Sequence, residues 1–229
     1  MKTLWNNFIN LFYPHLCLLC KTPLAEGENQ VCLHCLYDLP HTHYIEHPSD
    51  NPAIHLFANQ KEVITASAFL HYEKGGKVQQ LIHSLKYHDN KELAYLLGQS
   101  MAKEILSSGY TFMDSYLIPV PLHPQKEKKR RYNQAEWIAK GIASVISIPV
   151  NTTTLLRKKK NDSQTQKSVY ERWLNVEEIF YLTDFQILSG KHILIIDDVI
   201  TTGATISACI ETLKNIPDIQ ITVLALAIA

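Results

Sequence analysis

The chain has 229 residues, of which 46 % are hydrophobic and 19 % are charged. This composition supports a sizeable core in one large domain or in a domain with a small appendage, and it excludes a disordered, collagen-like or small disulfide-rich protein. Basic and acidic residues number 22 each, so the formal net charge is zero. Residues 126–172 nevertheless hold 12 basic and four acidic residues, a local charge of +8. Such a segment indicates local capture of a phosphate-bearing ligand rather than general attraction to nucleic acid.

The first 13 residues predict a short amphipathic helix, because apolar side chains recur there at helical spacing: Leu4, Trp5, Phe8, Ile9 and Phe12. We expect this helix to dock on its own domain or on a sister chain. Peripheral membrane association is the weaker alternative, because the polar face holds asparagines rather than a row of basic residues. The longest apolar run is nine residues, where a membrane span needs about 20. Without a recognisable signal peptide, the expected location is the cytoplasm.

Residues 14–40 contain two Cys-x-x-Cys pairs, Cys17 with Cys20 and Cys32 with Cys35, separated by 11 residues. Two such pairs complete a tetrahedron of thiolates around zinc, and a filled tetrahedron predicts a structural site. A redox dithiol or free cysteines are the alternatives. Lys21 and Leu36 stand where the glycine of a zinc knuckle is typical. Disulfides are not expected in a reducing compartment.

Residues 41–62, rich in His, Pro and Asn, predict a linker, and residues 63–229 predict one domain. In this domain we expect strands at residues 63–72, 115–120, 150–156, 193–196 and 220–228, and a proline-containing basic loop at residues 121–132. Helices are expected over residues 78–85, from 93 to about 109 and over 133–146, and a last helix has Ile206, Cys209, Ile210 and Leu213 inward. Strands that are apolar on both faces and separated by helices indicate a parallel sheet covered on both sides.

The buried strand at residues 193–196 delivers Asp197 and Asp198 to its carboxyl end, where open parallel sheets bind ligands. Small and hydroxylated residues then lead into a helix: Thr201, Thr202, Gly203, Ala204 and Thr205. Its first N–H groups and its dipole attract a phosphate. The two carboxylates suit vicinal sugar hydroxyls or a hydrated divalent cation. The alternative is an ordinary strand–turn–helix corner in which Asp and Thr serve as caps.

Residues 193–205, Ile-Leu-Ile-Ile-Asp-Asp-Val-Ile-Thr-Thr-Gly-Ala-Thr, resemble the phosphoribosyl pyrophosphate (PRPP) signature of type I phosphoribosyltransferases. The resemblance implies an α/β fold, a parallel sheet with helices on both faces and a small hood, to which the zinc-binding element is added. It also implies that the catalytic residues Asp197 and Asp198 contact the ribose 2′- and 3′-hydroxyls, and that residues 201–205 hold the 5′-phosphate.

Three further stretches narrow the resemblance to the ComF/GntX family, which includes the competence proteins of bacterial DNA uptake. They are Leu-Ile-His-Ser-Leu-Lys-Tyr at residues 81–87, Pro-Val-Pro-Leu-His-Pro at 119–124 with Tyr-Asn-Gln-Ala at 132–135, and Gln-Thr-Gln-Lys-Ser at 164–168 with Glu171, Arg172 and Asn175. With the cysteine-rich head, the resemblance covers nearly the whole chain. It departs at Arg131, where the family usually has glycine, and at Asn161, where a threonine is expected; Arg131 puts the usual shape of the preceding loop in question.

The resemblance further implies that residues 121–132 bind pyrophosphate together with Mg²⁺, through Lys126, Lys128, Lys129, Arg130 and Arg131. A solvated basic face is the alternative for any single lysine. Residues 157–175 match the mobile hood, in which Gln164 and Arg172 carry the family motif and Arg157 adds positive charge. His123 is the best-placed histidine for a general base, although a loop histidine bound to the backbone is the preferred interpretation.

We therefore expect a ComF-type protein that binds PRPP or a related sugar phosphate with Mg²⁺, holds a structural zinc and supports natural competence. As an enzyme it would transfer phosphoribosyl to an acceptor that the sequence does not identify. The alternative is a non-catalytic module that senses PRPP or holds single-stranded DNA and works with competence and recombination proteins. Tyr132, Trp137 and Trp173 are its candidate stacking platforms, although helical spacing favours a core position for Trp137.

Overall fold

The computed structural model describes residues 14–158 and 179–229. A parallel sheet at its centre consists of four strands, β1 (Val63–His71), β2 (Ser115–Pro119), β5 (His192–Ile200) and β6 (Gln220–Ile228). Their order in the sheet is β1-β6-β5-β2. A second, antiparallel sheet pairs β3 (Leu155–Arg157) with β4 (Phe180–Leu182). The predicted central strands are thus confirmed.

The helices of the described residues are α1 (Leu33–Tyr37), α2 (Pro52–His55), α3 (Lys77–Tyr87), α4 (Lys91–Ser107), α5 (Pro124–Arg130), α6 (Gln134–Ile146) and α7 (Ala204–Leu213). Short 3₁₀ turns occupy Tyr44–Glu46 and Phe185–Leu188. The four helices predicted from apolar periodicity within residues 63–229 correspond to α3, α4, α6 and α7. None of the helices in the described ranges is long and apolar enough to cross a membrane. The helix predicted over residues 1–13 lies outside these ranges.

Helices cover both faces of the sheet, as the alternating side chains of β5 show. Leu194 and Ile196 belong to one core cluster, which they share with the apolar faces of α3, α4 and α6. Ile193 and Ile195 belong to the opposite cluster, which they share with α7. Because successive side chains of a strand point to opposite faces, a strand buried on both sides must be continuously apolar. The predicted layer order of helices, parallel sheet and helix is therefore confirmed.

Helices α4 and α6 approach each other at a pair of glycines. A Cβ added to Gly98 would meet the backbone carbonyl of Ile138, and one added to Gly141 would meet that of Tyr95, both well inside van der Waals contact. Such close backbone approach is available only to glycine. The two residues thereby fix the distance between the two helices on this face of the sheet.

The basic loop predicted at residues 121–132 is wrong in part, because it contains α5. His123 accepts the Gln125 N–H at its Nδ1, Pro124 occupies the first turn and Arg131 ends the helix at a φ of 67°. None of the α5 side chains is buried, so the helix has no apolar periodicity that the sequence could reveal.

The strand predicted at residues 150–156 is also wrong in its extent. Val150 makes only an isolated parallel bridge to Leu117, and the next regular strand is β3. Asn151 separates the two pieces, because its Oδ1 accepts the N–H groups of Thr153 and Thr154. This local turn takes the place of the continuous ladder of backbone hydrogen bonds that a single strand over residues 150–156 would form.

Residues 41–62 are irregular, as expected, yet they pack closely on the domain. The Thr42 N–H donates to the Phe69 carbonyl of β1, and the Asn51 side-chain amide donates to that of Ala66. Phe57 is buried. The division into residues 14–40, 41–62 and 63–229 stays a prediction, but the middle segment is held against the sheet.

Candidate functional site

A cavity of about 170 Å³ lies where β2 and β5 end. Its charged lining consists of four basic and two acidic side chains: Lys86, Lys126, Arg130, Arg157, Asp197 and Asp198. Asn133, Gln134 and Thr205 add polar groups. A cavity is thus present at the carboxyl edge of the sheet, where the sequence predicts the site, and the surplus of positive charge suits an anionic ligand.

The two aspartates of β5 differ in their partners. Asp198 Oδ2 lies 3.0 Å from Lys86 Nζ, and the Asp198 N–H donates to Asp197 Oδ1 at 2.8 Å. Burial, together with the negative charge of Asp198, raises the pKa of Asp197 to about 8. One carboxylate is therefore neutralised by an ion pair, and its neighbour retains a proton at neutral pH while no ligand is bound.

The loop after β5 gives α7 an accessible amino-terminal end. Gly203 has a φ of 74°, and a Cβ there would lie 3.2 Å from Cε1 of the Phe57 ring. Thr205 lines the cavity, and Thr201, Thr202 and Ala204 are exposed. The first turn of α7 and the two aspartates therefore share one edge of the sheet, as the motif predicts.

The basic residues expected to bind pyrophosphate separate into two groups. Lys126 and Arg130, one turn apart on α5, line the cavity. Lys129 is exposed and is not among the lining residues, and Arg131 Nη1 lies 3.9 Å from Asp89 Oδ2. Arg131 adopts the left-handed conformation that glycine favours. The arginine therefore does not change the backbone shape that a glycine would give at this position.

Lys86 and Arg157 contribute to the cavity beyond what motif analysis assigned to them. Lys86 falls within the motif at residues 81–87, but no pattern could reveal that its partner is Asp198. Arg157, expected in the hood, is the last residue of β3, and its guanidinium carbon lies 5.3 Å from the centroid of the Phe180 ring. Residues 159–175 of the expected hood, including Gln164, Arg172 and Trp173, lie outside the described residues.

The Tyr-Asn-Gln-Ala motif organises the cavity wall. The Tyr132 hydroxyl donates to the Leu85 carbonyl at 2.7 Å, and Gln134 Nε2 donates to the same oxygen at 3.2 Å. Asn133 Nδ2 donates to the Val120 carbonyl, and its Oδ1 caps α6. Tyr132 is only 4 % exposed, so its interpretation as a stacking platform is wrong. The preferred interpretation of His123 is confirmed, because its Nδ1 accepts a backbone N–H.

The four clustered cysteines form a second candidate site, a metal centre. The Sγ atoms of Cys17, Cys20, Cys32 and Cys35 all lie within 4.8 Å of one another, and those of Cys20 and Cys32 are 3.7 Å apart. Zinc–sulfur bonds of about 2.3 Å imply a tetrahedral edge of about 3.8 Å, so the arrangement fits zinc. The Cys17 and Cys32 sulfurs also accept backbone N–H groups.

The local backbone around the cysteines supports the same assignment. Lys21 has a φ of 62°, so it takes up the conformation that a knuckle glycine would supply. Hydrogen bonding to Thr22 lowers the pKa of the Cys20 thiol to about 6, which favours a thiolate there, whereas burial raises the pKa of the Cys35 thiol. Four sulfur ligands leave no open position, as a structural site requires.

Comparison with known proteins finds similarity across most of the chain and across much of the domain that carries the cavity. A family model described as a phosphoribosyl transferase domain matches residues 133–225. The DNA utilization protein YhgH of Shigella flexneri is 25 % identical over 218 residues, which cover 89 % of this chain and 92 % of that protein.

Two competence proteins align over shorter stretches. Competence protein F of Haemophilus influenzae is 30 % identical over 112 residues, covering 48 % of this chain and 49 % of that protein. Competence protein ComFC of Bacillus subtilis is 26 % identical over 135 residues, covering 59 % of this chain and 52 % of that protein. The chain is therefore similar over most of its length to DNA utilization and competence proteins of the ComF type, and it carries a phosphoribosyl transferase domain beside its four-cysteine head.

Proposed function

We propose that this chain binds PRPP, or a related sugar phosphate, in the cavity at the carboxyl edge of its sheet. The observation that carries the proposal is the meeting of three features in one place: the aspartate pair, the first turn of α7 and three basic side chains, Lys126, Arg130 and Arg157. Each feature matches a different part of the ligand, namely the sugar hydroxyls, the 5′-phosphate and the diphosphate.

Each group of residues then has a separate task. Asp197 and Asp198 accept hydrogen bonds from the ribose hydroxyls. The backbone N–H groups after Gly203 and the hydroxyl of Thr205 donate to the 5′-phosphate. Lys126, Arg130 and Arg157 neutralise the diphosphate. Magnesium would supply further positive charge at that diphosphate. Because Lys86 already neutralises Asp198, we expect the ion to take its ligands from water and diphosphate oxygens rather than from a protein cage.

The same arrangement suits transfer of the phosphoribosyl group. An acceptor nucleophile forms a bond to ribose C1 while the bond from C1 to the diphosphate oxygen breaks, and the electron pair leaves with the diphosphate. Lys126, Arg130 and Arg157 stabilise the charge that develops on this leaving group. The names of the relatives support a role in competence and DNA use, which we place in the cytoplasm.

Titration calorimetry with PRPP and Mg²⁺ tests the proposal. We expect saturable heat with the wild type and at least tenfold weaker binding when Asp197→Asn and Asp198→Asn are combined, because Asp198 loses its charge and amides replace both carboxyl groups that face the sugar. Asp218→Asn is the matched control, since it removes an acidic residue that does not line the cavity. Absence of heat with the folded wild type would show that the cavity does not serve PRPP.

A second function, binding of single-stranded DNA, is favoured by one observation. Lys128 and Lys129 are exposed on α5 but do not line the cavity, so they are available to the phosphates of a strand. We expect combined Lys128→Gln and Lys129→Gln to reduce the slope of log affinity against log salt by about 0.7 for each lost phosphate contact. Exposed Lys103 provides the control, Lys103→Gln. An unchanged slope in the double variant would contradict this function, and calorimetry with PRPP should be unaffected in either case.

A further inference from the structure

We infer that Lys86 is a positioning residue for recognition of the sugar: it holds the Asp198 carboxylate in the orientation that accepts a ribose hydroxyl. The inference rests on the proposed function and assigns the sugar selectivity of the same cavity to a residue of helix α3. It predicts that Lys86 acts through Asp198 and does not contact the phosphate groups of the ligand.

The contact between the two side chains is short and shielded. Lys86 Nζ lies 3.0 Å from Asp198 Oδ2, and the side chains are 23 % and 15 % exposed, respectively. An ion pair that is largely withdrawn from water is screened less than a surface pair and restricts both side chains. Asp198 in turn donates its backbone N–H to Asp197 Oδ1 at 2.8 Å. Fixing Asp198 therefore also fixes the neighbouring acceptor.

The end of α3 that carries Lys86 is held from two sides. The Leu85 carbonyl accepts hydrogen bonds from the Tyr132 hydroxyl and from Gln134 Nε2. One residue earlier, the Ser84 hydroxyl accepts from Asn90 Nδ2, which also donates to Gln30 of the cysteine head. The backbone beneath Lys86 thus cannot shift without breaking several hydrogen bonds. A side chain supported in this way can set the geometry of its partner.

The two arginines of the cavity are held by uncharged partners. Arg130 donates to Gln134 Oε1 at 2.9 Å, and Arg157 lies over the ring of Phe180. Their positive charges therefore remain available to ligand phosphates, whereas the charge of Lys86 is matched by Asp198. Without Lys86, Asp198 would be a mobile, uncompensated negative charge beside an anionic ligand, and its hydrogen bond to a sugar hydroxyl would be lost.

The test compares two probes by calorimetry, ribose 5-phosphate and 2-deoxyribose 5-phosphate, which differ by one hydroxyl. We expect the wild type to prefer ribose 5-phosphate by about tenfold, the usual worth of a hydrogen bond to a charged acceptor. Lys86→Met should reduce this ratio to within about twofold, because the affinity for ribose 5-phosphate falls more than the affinity for 2-deoxyribose 5-phosphate. Lys86→Arg should restore most of the preference. Thermal unfolding confirms that each variant is folded, and Lys86→Gln replaces the methionine variant if that one does not fold.

The outcomes separate this inference from the proposed function. If Lys86→Met keeps the preference for ribose, or if it weakens both probes equally, the positioning role is overturned and the proposed function stands. If the wild type binds both probes equally, the inference also fails, although a phosphate site remains. If the wild type binds neither these probes nor PRPP, the proposed function and the inference fail together.

Discussion

At the scale of single residues, Asp197 couples the candidate site to pH. Burial and the charge of Asp198 raise the pKa of Asp197 to about 8, whereas an aspartate in an unfolded chain titrates near 3.9. Between these two pH values Asp197 is protonated in the folded protein and ionised in the unfolded chain. The free energy of unfolding therefore falls as the pH rises, until Asp197 also ionises in the folded protein. We expect Asp197→Asn to remove this loss and to stabilise the protein at pH 8 by about 1–3 kcal/mol.

The measurement is urea unfolding at pH 5 and pH 8, and the neighbouring aspartate supplies the control. Asp198→Asn should not stabilise the protein at either pH, because it leaves Lys86 without its 3.0 Å partner. Equal stabilisation by both substitutions would contradict the different roles that we give the two carboxylates.

Gly203 is required by both its backbone and its surroundings. Its φ of 74° disfavours any residue with a Cβ, and that Cβ would lie 3.2–3.3 Å from the Phe57 ring. We expect Gly203→Ala to lower the free energy of unfolding by about 2–3 kcal/mol and to weaken sugar-phosphate binding, because the first turn of α7 must move. Gly190→Ala is the control: φ is 68° but nothing lies within 4 Å, so its cost should be about 1 kcal/mol without an effect on binding. Equal costs would show that Phe57 is unimportant.

At the scale of elements, the close contact of α4 with α6 reverses an ordinary preference. Glycine-to-alanine substitution in a helix interior normally stabilises by about 1 kcal/mol. Here the new methyl group of Gly98→Ala would collide with the Ile138 carbonyl of the facing helix. We therefore expect a loss of about 2 kcal/mol or more, measured as a lower midpoint in urea. Ser100→Ala on the same helix should be neutral or stabilising, since the Ser100 hydroxyl only bonds back to Leu96. A stabilised Gly98→Ala would contradict the packing described.

The elements also show which parts of the fold a sequence can predict. Helices α3, α4, α6 and α7 each bury one face, so their apolar periodicity was sufficient. Helix α5 buries no side chain and begins with a proline, so the same criterion identified it as a loop. The hydrogen bonds of Asn151 interrupt the strand predicted at residues 150–156, which hydropathy does not record.

Some residues of the candidate site could likewise be predicted from the sequence, and others could not. Asp197, Asp198 and residues 201–205 are contiguous and could be predicted as a unit. Lys86 could not be assigned, because its ion pair joins residues far apart in sequence and depends on the final position of α3. The left-handed backbones of Lys21 and Arg131 were equally hidden, since neither residue type indicates a positive φ.

At the scale of the whole molecule, the cysteine head holds α3 near both of its ends. Asp38 pairs with Lys77 at the first residue of the helix, and Gln30 accepts from Asn90 just beyond its last turn. We expect Cys32→Ser to remove bound zinc, about one ion per chain, and to increase hydrogen exchange around Lys77 and Asn90. Cys209→Ala should keep the zinc, because Cys209 lies on the buried face of α7, away from the cysteine head. Full protection of α3 after metal loss would show that the head and the helix are independent.

An ion pair between His41, in the segment after the cysteine head, and Glu104 of helix α4 makes the stability of the folded protein depend on pH. The side chain of His41 lies 3.0 Å from Glu104, and hydrogen bonding to that carboxylate raises the pKa of the histidine. The folded protein therefore keeps this proton to a higher pH than the unfolded chain, whose histidines titrate near 6.5. The stabilisation is complete below that value and is lost as the pH rises through the raised pKa.

We accordingly expect His41→Gln to reduce the free energy of unfolding by about 0.5–1 kcal/mol more at pH 5.5 than at pH 8.5. Comparing each variant with the wild type at the same pH cancels the contributions of Asp197 and of the cysteines. His55→Gln is the control, because His55 and Asp50 form a pair in which both side chains are mostly exposed and solvent weakens the attraction. If His41→Gln reduced the free energy of unfolding equally at both pH values, or more at pH 8.5, an ion pair between His41 and helix α4 would be contradicted.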